Sequence, residues 1–134
     1  MNKYAFDILI IDENAIDNMI HKTLFRNCGH EFFVKDLPCA EYAIANIEAR
    51  LSANTNLPNA VIQSIDFRNE DEYETMHRYL KCRKNLQGIK HIGMSCSLDK
   101  SLFKHIVSID DDLQVLAKPL ILDKVFELIY PAKV

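Results

Sequence analysis

Glycine is scarce in this sequence: three glycines occur in 134 residues, and none forms a glycine-rich turn after an apolar run. A dinucleotide site or a phosphate-binding P-loop requires such a turn, because the backbone must approach the phosphates closely. The sequence therefore gives no support for either kind of nucleotide site.

Long apolar runs, strong charge and paired cysteines are absent as well. No run approaches the ~18 apolar residues of a membrane span, and no signal peptide fits the first residues. The formal net charge of -3 gives no electrostatic reason to expect nucleic-acid binding. The four cysteines have neither C-x-x-C nor zinc-ligand spacing. We therefore expect a cytoplasmic protein with free thiols and neither a membrane nor a nucleic-acid partner.

Strand-like and helix-like patterns alternate along the whole chain, which we expect to form a single domain over residues 1–134. The predicted strands are 6–11, 31–37, 60–65, 89–94 and 113–117, and each is followed by a segment with helical spacing. Five such units predict an α/β fold, a doubly wound five-stranded parallel sheet of order 2-1-3-4-5. In the first helix, the apolar stripe of Ile16, Met19, Ile20 and Leu24 predicts the buried face.

An acidic pair stands at the end of the first strand. Ile8 to Ile11 are uninterrupted aliphatic residues, typical of a strand buried on both faces, and Asp12 and Glu13 follow directly. Adjacent carboxylates at the carboxyl end of a parallel strand are suited to a hard cation such as Mg²⁺. The alternative is a polar loop in which Asn14 caps the first helix.

Other strand ends carry polar residues of complementary chemistry. The third strand ends near Ser64 and Asp66, the fourth at Ser95, and the fifth is followed by Lys118-Pro119. Taken singly, a Lys-Pro pair indicates a turn and a serine indicates a cap. A parallel sheet, however, brings all of these ends to one edge, so together they predict one shallow site.

These motifs resemble those of response-regulator receiver domains of two-component signalling, over nearly the whole chain. The matching segments are LIIDEN from Leu9, PNAVIQS from Pro58, GMSCS from Gly93 and LAKPL from Leu116. The resemblance implies a flavodoxin-like (βα)5 fold and a signalling partner, either a histidine kinase or a downstream protein. It also implies that Asp12 and Glu13 hold Mg²⁺, and that Ser95 and Lys118 contact a phosphoryl group.

The phospho-acceptor position departs from the family pattern. Counting from Pro58 places Ser64 where the family has its acceptor aspartate, and Asp66 lies two residues later. The register of the following helix favours Ser64, because it places Tyr73 and Met76 on the inner face of that helix. Residues i and i+2 of a strand share a face, so Asp66 remains the alternative acceptor and a further ligand for weakly bound Mg²⁺.

Two more departures point towards lost or altered phosphoryl signalling. The loop 67–72 lacks the usual proline and glycine, and Val115 replaces the aromatic residue that rotates on phosphorylation in the family. The sequence therefore predicts a degenerate, non-enzymatic receiver-like domain that acts through protein–protein contacts. The alternatives are a working receiver that uses Asp66, and a small enzyme or ligand-binding module on the same fold.

Overall fold

The computed structural model describes residues 6–28, 32–66, 70–99, 103–110 and 112–129. The strands are β1 (Phe6–Ile11), β2 (Phe32–Leu37), β3 (Ala60–Ser64), β4 (Lys90–Ser95) and β5 (Val115–Ala117). The helices are α1 (Ala15–Arg26), α2 (Ala40–Ser52), α3 (Glu70–Lys81), α4 (Lys104–Ile109) and α5 (Leu122–Ile129), with a short 3₁₀ turn at Lys84–Leu86. None of the helices described is long and apolar enough to cross a membrane.

The five strands form one parallel sheet of order β2-β1-β3-β4-β5. This confirms the predicted order. The register aligns Ile11 of β1 with Gln63 of β3, and Ser95 of β4 with Ala117 of β5. Because all strands run the same way, the residues that follow them lie along a single edge.

Alternate residues of β1 build two separate cores, one on each face of the sheet. Ile8 and Ile10 pack in the cluster that contains residues of α1 and α5. Leu9 and Ile11 pack in the cluster that contains residues of α2 and α3. All six residues of β1 are buried, which is why this strand is a continuous apolar run apart from Asp7.

The predicted element boundaries are close to those observed. Helix α3 ends at Lys81, and the chain continues as a 3₁₀ turn at Lys84–Leu86. The fifth strand is shorter than predicted and begins at Val115. Residue 31 of the predicted second strand, and residues 67–69 of the loop after β3, lie outside the described residues.

The predicted buried face of α1 is wrong. Ile16, Met19, Ile20 and Leu24 are all exposed, whereas the buried residues of this helix are Asn18, His21 and Phe25. Two of these inward residues make specific polar contacts: the Asn18 side-chain amide donates to the Asp12 carbonyl, and His21 accepts from the Leu120 amide. These contacts with distant backbone atoms set the rotation of the helix, and the apolar stripe faces outward.

Candidate functional site

Four polar side chains meet at the edge formed by the strand ends. Asp12 follows β1, Asp66 lies two residues beyond β3, Ser95 is the last residue of β4, and Lys118 follows β5. In open parallel sheets, ligands bind at this edge. The geometry of the four residues therefore defines the candidate site.

The Lys118 ammonium group is the centre of the cluster. Its Nζ lies 2.7 Å from Asp12 Oδ2, 3.0 Å from Asp66 Oδ2 and 3.2 Å from Asp17 Oδ2, and the side chain is only 7% exposed. Burial acts to lower the pKa of Lys118, but the hydrogen bonds to Asp12 and Asp66 outweigh it and raise that pKa. Lys118 is therefore a fixed positive charge.

The Asp66 carboxylate is held by three donors. Its Oδ1 accepts from the Ser95 hydroxyl at 2.6 Å and from the Cys96 backbone amide at 2.9 Å. Its Oδ2 is paired with Lys118. Burial acts to raise the pKa of Asp66, but the hydrogen bonds from Ser95 and Cys96, together with Lys118, lower it. Asp66 is thus an anion whose two oxygens are both engaged.

Asp12 is positioned by its neighbours as well as by Lys118. It is 2% exposed, and its Oδ1 accepts from the Asn14 amide at 2.9 Å. Its backbone amide donates to Leu37 O, and its carbonyl accepts from the Asn18 side chain. Asn14 also caps α1, as the alternative interpretation of this segment predicted. The loop after β1 therefore caps α1 through Asn14 and also places Asp12 against Lys118.

The structure separates the two candidate acceptor positions. Ser64 is the last residue of β3, is 2% exposed and pairs with Met94 of β4. Asp66 lies beyond the strand end, and its side chain is 29% exposed. It is Asp66 that contacts Ser95 and Lys118, while Glu13 is exposed and makes no ion pair among the described residues.

Two participants were missed by the sequence analysis. Asp17, in the first turn of α1, is the third carboxylate on Lys118. Its position three residues after the cap Asn14 was the available signal, since the first turn of α1 starts at the sheet edge. The second missed participant is the Cys96 backbone amide, which donates to Asp66. A backbone donor cannot be recognised from the sequence.

The site carries more negative than positive charge. Three carboxylates contact one ammonium group, which leaves two negative charges uncompensated within this set. His21 does not balance them, because burial and the charge of Lys118 lower its pKa. The His21 Nε2 lone pair accepts from the Leu120 amide, so it is not available as a base.

The donor set fits a hard divalent cation in charge and in atom type. Asp12, Glu13 and Asp66 offer carboxylate oxygens alone, which Mg²⁺ prefers over nitrogen or sulfur ligands. The fit is weakened because both oxygens of Asp12 and of Asp66 already accept hydrogen bonds. Ser64, the predicted acceptor position, adds no carboxylate to this set.

The region around Val115 is filled by a tyrosine from α3. Val115 packs against a small buried cluster that contains Tyr73 and Phe103. Tyr73 and Met76 are both 0% exposed, which confirms their prediction as the inner face of the third helix. The Tyr73 hydroxyl donates to Asp110 at 2.9 Å, so this ring is fixed in the interior.

No family model matches the sequence, and no curated protein matches it. Solved structures do match. A two-component response regulator from Cytophaga hutchinsonii has a TM-score of 0.75 at 17% identity over 95% of this chain and 98% of its own. A response regulator receiver protein from Dyadobacter fermentans has a TM-score of 0.74 at 20% identity over 96% and 100%.

A third match is a response regulator from Burkholderia pseudomallei with a phosphorylated aspartic acid and a calcium ion. It has a TM-score of 0.64 at 12% identity over 94% of this chain and 67% of that one. The chain therefore has the fold of response-regulator receiver domains. At these identities the likeness establishes the fold, and the phosphorylated aspartic acid and the calcium ion are features of the Burkholderia protein.

Proposed function

We propose that this chain is a degenerate receiver-like domain of two-component signalling that acts through protein–protein contacts and forms no acyl phosphate. The observation that carries the proposal is the state of Asp66. The Ser95 hydroxyl and Lys118, the residues that the resemblance assigns to phosphoryl contact, bind the Asp66 carboxylate. A permanent internal anion thus takes the place of a transferable one.

Ser64 is unsuited to replace the acceptor aspartate. A serine hydroxyl is a poor nucleophile unless an adjacent base activates it. Ser64 is also buried at the end of β3, 2% exposed. Any phosphoserine formed there would be a stable ester, not the labile acyl phosphate of a switch.

A fixed anion gives the site a fixed charge pattern. Asp66 links the end of β4, through Ser95 and Cys96, to the start of the segment after β5, through Lys118. Both connections exist without phosphorylation. We therefore propose that partners, a histidine kinase or a downstream protein, meet one constant surface, and that binding does not depend on a phosphodonor.

We include in the proposal a weak Mg²⁺ site at Asp12, Glu13 and Asp66. A divalent ion there would supply compensation for the two excess negative charges of the cluster. Lys118 already neutralises part of that charge at contact distances, so the domain keeps its structure without the ion. No reaction step is assigned to it.

A working receiver that uses Asp66 as acceptor is the second candidate. It is favoured by the 29% exposure of that side chain and by its contacts with both Ser95 and Lys118. Against it, three donors bind the Asp66 carboxylate and lower its pKa, which makes it a weaker nucleophile, and the count from Pro58 places Ser64 at the acceptor position.

An enzyme or small-molecule module is less well supported. Two surface cavities lined by described residues measure about 220 and 250 Å³, below the roughly 300–1,000 Å³ of typical ligand pockets. Neither is lined by Asp12, Asp66, Ser95 or Lys118. We therefore propose a non-enzymatic role.

The test is intact-mass spectrometry after incubation with acetyl phosphate and Mg²⁺. Wild type should gain no phosphate, whereas Ser64→Asp, which restores the acceptor carboxylate, should gain one that is lost in base. Ser64→Asn is the matched control of similar size without a nucleophile. A base-labile phosphate on wild type that disappears in Asp66→Asn would instead establish the second candidate.

A further inference from the structure

Helix α1 has its apolar face on the outside. Ile16 is 64% exposed, Met19 60%, Ile20 43% and Leu24 36%. Residues 16, 20 and 24 are spaced by four and Met19 lies beside them, so they form one continuous ridge. We call these four residues the α1 ridge. Exposed apolar surface of this kind, bordered by charged residues, marks a protein–protein contact.

The ridge cannot be buried within its own domain by a rotation of the helix. Such a rotation would break the contact from the Asn18 side chain to the Asp12 carbonyl, at 2.8 Å, and the contact from the Leu120 amide to His21, at 3.2 Å. It would also remove Phe25, 0% exposed, from the core. Among the described residues, the ridge is therefore left uncovered.

The charges along and just before α1 favour a second copy of this chain as the partner. Glu13, which precedes the cap Asn14, and Asp17 lie at the amino-terminal end of α1, and Lys22 and Arg26 lie at its carboxyl-terminal end. The midpoint between the acidic and basic ends falls between Met19 and Ile20, the middle of the ridge. Two copies paired antiparallel about this midpoint bring the acidic end of each against the basic end of the other.

The two outermost charges are available for such pairing. Asp17 contacts Lys118, and Lys22 is paired with Asp36. Glu13 and Arg26 are both exposed, and neither has an ion-pair partner among the described residues. An antiparallel arrangement also opposes the two helix dipoles favourably, whereas a parallel arrangement would place like charges together.

We propose that the α1 ridge is the interface of a symmetric antiparallel dimer, with Glu13 of each copy facing Arg26 of the other. The contact is isologous, because the same patch is used twice. One helix face is a small interface, so the dimer forms at roughly micromolar to millimolar concentrations. The interface shares Glu13 with the proposed Mg²⁺ site, so the dimer and the ion compete for this carboxylate, but it uses none of Asp66, Ser95 and Lys118.

Sedimentation equilibrium of the full chain over a range of concentrations tests the interface. Wild type should show a monomer–dimer equilibrium, and Ile20→Asp should weaken it by at least tenfold. The matched control is Val107→Asp, since Val107 on α4 is 42% exposed and Ile20 is 43% exposed; it should behave as wild type. A wild type that remains monomeric, or a dimer that persists in Ile20→Asp, overturns the proposal.

Charge reversal tests the antiparallel pairing. Glu13→Lys and Arg26→Glu should each weaken the dimer several-fold at low salt, and the double variant should regain wild-type affinity. High salt should reduce these differences, since exposed pairs are screened. The antiparallel arrangement is wrong if both single variants dimerise as wild type does. It is also wrong if the double variant loses as much dimer affinity as the two single variants together.

Discussion

The Ser95 hydroxyl donates a 2.6 Å hydrogen bond to Asp66 Oδ1, and the other oxygen of the same carboxylate lies 3.0 Å from Lys118. The Lys118 backbone amide also donates to the Ser95 carbonyl at 2.8 Å. Asp66 therefore connects the ends of β4 and β5 by side-chain bonds, in addition to the backbone bond between them.

Loss of the Asp66 carboxylate should destabilise the fold. We expect Asp66→Ala to lower the free energy of unfolding by about 1–2 kcal/mol, because the partners of a charged hydrogen-bonded group are left unsatisfied. Asp66→Asn should cost less, since its amide oxygen can still accept from Ser95 and Cys96. Urea unfolding measures both, with the exposed Asp123→Ala on α5 as control. Equal stability of Asp66→Ala and wild type would show that the connection contributes nothing.

Loss of the Lys118 ammonium group should lower the free energy of unfolding further, and the size of this loss should depend on Asp12. Lys118→Met leaves the buried Asp12 carboxylate without its cation and should cost about 3 kcal/mol. In the Asp12→Asn background the same change should cost less, with a coupling energy of about 1–3 kcal/mol. A double-mutant cycle by urea unfolding measures the coupling. Additive effects would mean that the 2.7 Å contact between Lys118 and Asp12 does not stabilise the fold.

The sheet order, the strand ends and most site residues could be predicted from the sequence. Apolar runs such as Ile8 to Ile11 report burial on both faces, and parallel pairing then brings the residues after them to one edge. The orientation of α1 could not be predicted, because Asn18 and His21 bind backbone atoms of Asp12 and Leu120. The hydrophobic spacing of a helix identifies an apolar face without saying what covers it.

Stability should fall below neutral pH because of His91. Burial, reinforced by the charges of His77 and Lys81, lowers the pKa of His91 to about 3 in the folded protein. The unfolded chain takes up a proton near pH 6.5 and the folded chain does not, so this contribution is complete above pH 6.5 and is lost as the pH falls. At pH 5 the loss is about 2 kcal/mol.

The measurement is urea unfolding at pH 7 and pH 5 for wild type and His91→Phe. The phenylalanine keeps a ring at the 4.0 Å stacking contact with Tyr73 but cannot titrate. The variant also differs from wild type in stability at any single pH, because Gln63 loses a donor. The comparison therefore uses only the change in unfolding free energy between pH 7 and pH 5. An equal difference in the two proteins would exclude His91 as the cause.

Packing behind the site should make Gly93 sensitive to a single methyl group. A Cβ at position 93 would lie 3.1 Å from Ile65 Cδ1 and 3.3 Å from its Cγ2. We expect Gly93→Ala to cost about 1–3 kcal/mol, as overpacked cores do. In an Ile65→Val background, which lacks the nearer atom, the cost should fall. An unchanged cost would place the strain elsewhere in β4.

The central claim, that Asp66 is a fixed internal anion and not an acceptor, is tested most directly by the Cys96 amide resonance in ¹H–¹⁵N NMR. This amide donates to Asp66 Oδ1 at 2.9 Å, so it reports the state of that carboxylate. Adding acetyl phosphate to the Mg²⁺-containing wild type should leave the resonance unchanged, and Asp66→Asn should shift it. A new Cys96 resonance that appears in wild type with the phosphodonor, and not in Asp66→Asn, would contradict the account.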